Sequence, residues 1–487
     1  MDIRRLGGFR LRIPSSRSPT WVLAETATSA VFSLLSMLAI GRVIGPEAAG
    51  TGMIAIASFA LLDLVGATLF PDALIQYRRL DRRHAASALT VALLVGTAAG
   101  VLFAGMAPWL AKWSAVPGVE PLCLALAPML PFSAFAGAGS GLILREQRFA
   151  PLASRVLVGQ PLALVVGLGL AATGHGAWAM IGNQIVASLI SFGVVLWFGR
   201  LWLRPRIDRA ALRDLWPVAV PQVLALCVLI GRYRLFLVLL GLVATEAVLA
   251  VSHFAFRMLD AALVMVWQST GRIAMPRLCA LQGDRHAMAE AFGDLAQLQA
   301  LLGMPLAAGI ALTAPDLVHA LLGPAWSGAA PAAQIVGAAA LLSFINGDTL
   351  SLFVARGKAK RNILINLAAL AVPVSALLVL QPRTPSGAAL AWASQSLVLP
   401  PILTWLVLRE VGRPLSWLLA RIAPALVATA AMSVAVLGLQ AVASMSPAVE
   451  LVLSAATGAL VYGGVVWVML GGQLPRALLR HPAALPA

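Results

Sequence analysis

The chain has 487 residues, of which 60% are hydrophobic and only 11% are Asp, Glu, Lys or Arg. A soluble globular protein carries about a quarter charged residues, so with a mean hydropathy of +0.90 this is an all-α integral membrane protein. The net charge of +16 does not point to nucleic acid, because the basic residues fall in short loops between apolar runs, where the membrane-orientation rule puts them.

The apolar runs are about 20 residues long, the length of a spanning helix and about twice that of a barrel strand. A basic tail, residues 1–19, leads into a first run too long for a signal-peptide core. In chain order the pattern predicts about 14 transmembrane helices. Six lie at 20–44, 51–74, 85–110, 121–144, 152–172 and 177–198. A basic linker, 199–214, separates them from six more at 215–240, 245–268, 292–313, 329–355, 363–380 and 387–408. Two additional helices, 422–444 and 449–471, lie within 409–471, before a tail at 472–487. The organisation is thus an N-terminal six-helix lobe (20–198), the linker, a C-terminal six-helix lobe (215–408) and an extra helix pair.

Loop charges test that count. All but six of the 35 Lys and Arg fall in the tails and in every second loop. The opposite loops hold only Arg42, Lys112 and Arg383, and the other three lie inside spans. An invented or missed span would scramble this alternation, so the bias predicts cytoplasmic termini. The longest outer loop is expected at 314–328, and no soluble domain hangs on either face. A weak internal echo, LDRRHAASA (80–88) against GDRHAMAEA (283–291), suggests two parallel repeats with substrate between them. Cys123, Cys227 and Cys279 lack metal-ligand spacing and read as inert thiols. No nucleotide loop, hydrolase elbow or metalloprotease motif is present, so the expectation is a transporter without a cofactor rather than an enzyme.

The stretch 225–266 carries Arg232, Arg234, Arg257 and Asp260 at membrane depth. Intramembrane charge is costly and faces a wet cavity or a partner, so the three arginines predict a chamber for an anionic substrate. A guanidinium binds phosphate through paired, charge-assisted hydrogen bonds, which suits a pyrophosphate. Arg232 and Arg234 point about 160° apart on a helix, so one of them faces the chamber and the other snorkels or pairs. Arg257 and Asp260, at i and i+3, either serve the chamber or neutralise each other. Asp63, Asp260, Asp348 and Glu25 are candidates for proton or sodium coupling, with solvation as the plainer reading for Glu25. Gln160, Asn183, Gln184, Gln222, Asn346 and Gln395 either line the cavity or bond between helices. Pro217 and Pro221 place a bend in the seventh span.

The first loop, GRVIGPEAAGTG (41–52), resembles the R-x-L-G-P-x-x-x-G signature of polysaccharide transporters. GLILREQRFAPLASRVLVGQ (141–160) and GHGAWAMIGNQI (174–185) resemble the fourth-to-sixth spans of the same family. These are the Wzx-type oligosaccharide flippases of the multidrug/oligosaccharidyl-lipid/polysaccharide superfamily. The resemblance implies two six-helix lobes in a V around a central cationic cavity. It also implies alternating-access transfer of an undecaprenyl-pyrophosphate-linked oligosaccharide, such as an O-antigen or exopolysaccharide unit, across the bacterial inner membrane. By motif, Arg42, Gly45, Pro46 and Gly50 shape the outer loop, and Arg145 and Phe149 the inner one. Arg42 joins the substrate-binding candidates. The sequence departs from the pattern at Gly231-Arg232-Tyr233-Arg234, where the family more often has an acid beside the glycine. The extra helix pair resembles that of lipid II flippases and suggests a groove for a lipid tail.

The expected partners are the lipid-linked oligosaccharide, the bilayer and a polysaccharide polymerase or export machinery. The alternatives are a multidrug-exporter-like carrier of small molecules, a lipid II-type flippase, and a non-transporting partner of a glycan polymerase. Arginine-rich middle spans argue against the cationic cargo expected of a drug exporter.

Overall fold

The computed structural model describes residues 15–18, 20–77, 79–199, 205–358, 360–442 and 446–473. Most of both tails and residues 200–204 of the linker lie outside the described residues. So do Arg4, Arg5, Arg10, Arg12, Arg78, Arg200, Arg204, Arg476 and Arg480 of the loop-charge pattern, and the side chain of Arg272.

Every described element is helical. The first eight are α1 (Thr20–Thr68), α2 (Pro71–Gln76), α3 (Arg82–Ser114), α4 (Val119–Leu126), α5 (Met129–Arg145), α6 (Phe149–Ala172), α7 (Trp178–Gly199) and α8 (Arg209–Leu229). They are followed by α9 (Gly231–Val243), α10 (Glu246–Ala280), α11 (Arg285–Leu321), α12 (Ala329–Ala340) and α13 (Thr349–Ala355). The last four are α14 (Lys360–Leu380), α15 (Pro385–Val411), α16 (Leu415–Val442) and α17 (Pro447–Met469).

Among the described residues twelve helical stretches are long and apolar enough to cross a membrane. One of them, Thr20–Gln76, holds two expected spans, because Gly45 (φ 78°, ψ 171°) breaks α1 and Pro46 restarts it. That dihedral pair suits a residue without Cβ, and proline is pre-set for a first helical turn. The charged, 35-residue α10 lies outside the twelve and covers the expected eighth span. α11 runs through Pro315 to Leu321, which shortens the outer loop expected at 314–328.

The described chain forms two compact units. One comprises the residues up to Ile40 with Ser58–Ala111 and Pro117–Cys227; the other comprises Gly41–Ala57, Lys112–Val116 and the chain from Val228 on. The division falls inside the expected seventh span rather than in the linker. The reason is local bonding: the Arg206 and Asp208 amides donate to the Thr90 and Ser87 hydroxyls of α3. Asp214 accepts from Tyr77 Oη (2.9 Å) and lies 3.2 Å from Nε2 of the buried His84. These bonds fix the start of α8 to the first unit. The seventh span itself breaks at Ile230–Gly231 rather than at Pro217 or Pro221, which both lie within α8. Glycine is a weak helix residue, and proline within a span need only kink it where neighbours re-satisfy the backbone.

The sequence echo has a structural counterpart. α3 starts directly after Asp81 and α11 directly after Asp284. α5 and α13 end in the same pattern: the Arg148 and Lys358 amides return to the Ile143 and Phe353 carbonyls, across left-handed Gln147 (φ 56°) and Gly357 (φ 68°). In the first unit Arg145 donates to the Leu74, Ile75 and Tyr77 carbonyls, closing the end of α2, and the Phe149 amide donates to Ser16 O.

Candidate functional site

The second unit holds Arg232, Arg234, Arg257 and Asp260. Thr245 caps α10 by accepting from the Val248 amide, which starts the helix that carries His253, Arg257 and Asp260. Those three are spaced i, i+4 and i+7 and therefore share one face. α9 presents Arg232 and Tyr233 to that face. Asp260 lies within electrostatic reach of both Arg232 and Arg257. Tyr233 Oη is 3.0 Å from His253 Nδ1. From α15, Gln395 Oε1 accepts from Arg232 at 3.4 Å, a long contact with a neutral group. Beneath lie Trp392, Phe236 and Phe256, with ring centroids 4.9 Å (Phe236–Trp392) and 6.0 Å (Phe256–Trp392) apart; Tyr233 meets Trp392 edge-on at 5.1 Å. All three floor residues are buried. Arg232, Arg257 and Asp260 thus stand beside an amide and a Tyr–His pair, and Tyr233 joins them to the buried aromatic rings.

Arg234 is half-buried on α9, two residues beyond Arg232. Arg42 is exposed, and its Nη1 donates to the Ala320 (3.0 Å) and Leu321 (3.3 Å) carbonyls at the end of α11. A cation there meets the partial negative charge of a helix C-terminus. Residues 41–57 pack closely within this unit: a Cβ at Gly50 would overlap the Glu246 carbonyl.

The acids separate. Asp260 joins the arginine cluster. Asp348 sits where the tenth span is interrupted between α12 and α13, after left-handed Gly347 (φ 58°). Its carboxylate accepts from the Ser351 amide (3.1 Å) and hydroxyl (2.6 Å), capping α13. In the first unit Glu25 pairs with Arg155 (3.4 Å), whose Nη1 also reaches the Ser140 hydroxyl. Asp63 is half-buried in the second segment of α1. Among the described residues no group of three or more His, Cys, Asp or Glu could hold a metal ion.

The model of the family described as "polysaccharide biosynthesis protein" matches residues 39–331. The chain belongs to this family. The match takes in the Arg42–Gly50 loop and the charges of α9 and α10, while Trp392 and Gln395 lie beyond it. No curated protein matches the sequence. Among solved structures, a lipid II flippase, MurJ, in an inward closed conformation is similar with a TM-score of 0.72 at 12% identity. It covers 95% of this chain and 100% of that one. A multidrug-resistance MATE transporter in an inward-facing conformation is similar at 0.61 and 15% identity, over 80% of this chain and 98% of that one. At such identity the likeness is one of fold. For this polysaccharide biosynthesis family member it gives an all-helical membrane fold like that of these transporters.

Sequence reasoning overlooked Tyr233, His253 and Trp392. The His253–Arg257–Asp260 stripe was readable from its spacing on a single helix. Trp392 carries no such signal, because it reaches the cluster only through tertiary packing of α15.

Proposed function

We propose that this polysaccharide biosynthesis protein flips an undecaprenyl-pyrophosphate-linked oligosaccharide across the bacterial inner membrane by alternating access, without covalent chemistry. The observation that carries the reading is the Arg232–Arg257–Asp260 cluster, held within hydrogen-bonding reach of Gln395 and floored by aromatic rings. Arg232 and Arg257 grip the pyrophosphate oxygens, whose charge outcompetes the single carboxylate of Asp260. Gln395, Tyr233 and Trp392 suit the first sugar, through hydroxyl hydrogen bonds and ring stacking. Asp260 balances the arginines when the site is empty, so it is also the strongest candidate for a coupling proton or sodium ion. Glu25 and Asp348 already serve Arg155 and Ser351. The alternating loop charges favour cytoplasmic termini, so cargo enters from the inner leaflet and is delivered outward to a polymerase.

The test uses cells lacking this gene. Carrier-linked glycan should accumulate on the cytoplasmic leaflet while surface polysaccharide disappears. Complementation with Arg232→Ala or Arg257→Ala should leave the protein in the membrane without restoring export. Unchanged surface glycan with reduced dye efflux would instead assign the fold to small-molecule export.

A further inference from the structure

A second cationic cluster stands apart from the arginines of α9 and α10, at the meeting of α13, α14 and α15. Glu410, near the end of α15, is almost buried and takes three cations. Lys358 Nζ lies 2.6 and 2.8 Å from its two oxygens, and Arg361 Nη1 is 2.6 Å from Oε1. Arg356 Nε lies 3.8 Å from Oε2. One carboxylate offers about four lone-pair positions, whereas two guanidinium groups and an ammonium carry far more N–H donors. Three cations against one anion leave two positive charges, and the Lys358 and Arg361 side chains are each 40% exposed.

The surroundings are those of a membrane interface. Trp405, 58% exposed on α15, lies 5.6 Å beneath the Arg409 guanidinium, and Arg361 stands 5.5 Å over the Phe353 ring. Exposed tryptophan next to arginine marks headgroup depth. Directly beyond Arg361, Ile363, Leu364 and Leu367 form an exposed apolar strip on α14. A phosphate bound at Lys358 and Arg361 would therefore have acyl chains continuing along that strip, which a soluble phosphate lacks.

We propose that Arg356, Lys358 and Arg361 bind the phosphate headgroup of a membrane lipid, with Glu410 as the built-in competitor that sets the affinity. The site is independent of the cargo reading, because it needs only a lipid phosphate. The experiment is native mass spectrometry of the full-length protein in detergent with phosphatidylglycerol, phosphatidylcholine or undecaprenyl pyrophosphate added separately. Phosphatidylglycerol should bind and phosphatidylcholine should not. Lys358→Gln/Arg361→Gln should weaken binding roughly thirtyfold, at the usual contribution of two interfacial cations. Glu410→Gln, which keeps every cation and removes the competitor, should tighten it. That opposite sign separates a lipid site from a salt bridge that merely holds helix ends, and it decides the matter even if the double variant does not fold. Binding of undecaprenyl pyrophosphate alone, weakened by Lys358→Gln/Arg361→Gln, would keep the headgroup site and name the carrier lipid as its source, whereas binding that the double variant leaves unchanged belongs to the Arg232–Arg257 cluster and would overturn the proposal. Equal binding of both phospholipids, or no gain in Glu410→Gln, would overturn the proposal.

Discussion

Arg232 and Arg421 sit in the same unit of one membrane protein and are held in opposite ways. Arg421, on α16, reaches Asp294 at 2.6 Å and also pairs with Glu290, both on α11. Its guanidinium lies 5.6 Å from the Trp417 ring, and Gln297 donates to its carbonyl. Arg277 approaches the other oxygen of Asp294, and Arg413 approaches Glu290. Arg232 has a 3.4 Å contact with a neutral amide and the more distant field of Asp260. Buried charge is thus used in two ways in this unit. Where carboxylates saturate the guanidinium it is a rivet, here fixing the extra helix α16 to α11. Where an amide holds it loosely, it can still take an anion.

The largest expected effect would break the rivet. Arg421→Ala removes the shortest partner of Asp294, which is only 1% exposed and keeps Arg277, together with a partner of Glu290, so it should cost about 3 kcal/mol, two charge-assisted contacts at roughly 1.5 kcal/mol each. The check is a lower thermal midpoint by size-exclusion chromatography after heating. Arg232→Ala should leave that midpoint nearly unchanged and cut export about tenfold or more, the loss of one charge-assisted contact of roughly 1.5–3 kcal/mol. If Arg232→Ala instead unfolds the protein, the contrast fails. Arg232→Lys sharpens it: the charge stays but the planar fork is lost, so export should recover only in part. Glu25→Gln breaks a half-exposed pair and should change stability by no more than about 1 kcal/mol.

The smallest effect is a pH dependence in the linker. The Asp208 carboxyl accepts from the Ala211 and Ala210 amides, which hold it below its ordinary range. A depressed carboxyl stabilises the fold above its unfolded value of about 3.9 and loses that contribution as pH falls through the lower folded value. Acidification below pH 4 should therefore loosen the wild-type linker but leave Asp208→Asn unaffected, as read by hydrogen exchange at residues 208–211.

Much of this architecture was legible because the bilayer imposes it: span length, loop charge and the Gly45–Pro46 break follow from local composition. The arginine cluster was legible in part. Arg257 and Asp260 share a helix face by spacing alone, and the sequence showed that Arg232 and Arg234 could not both face one chamber. The Arg232–Gln395 contact joins residues 163 apart in the chain, and no local pattern encodes it. The cap at Asp348 was readable in Asp-Thr-Leu-Ser, where an acid before a short helix has a serine three residues on. The two compact units divide within the expected seventh span rather than in the linker, whose amides are tied to Ser87 and Thr90, contacts that its basic composition does not reveal.

The segment 41–52 acts as a ruler. Arg42 must reach two carbonyls at the end of α11 while Gly45, three residues later, turns the chain and Gly50, five further on, slides under the Glu246 carbonyl. One inserted residue between Arg42 and Gly45 would rotate the guanidinium by about 100° around its helix and carry it off those carbonyls. The spacing of the motif thus tolerates changes of letter far better than changes of length. Insertions in this segment should be rejected where point substitutions at Val43 or Ile44 pass.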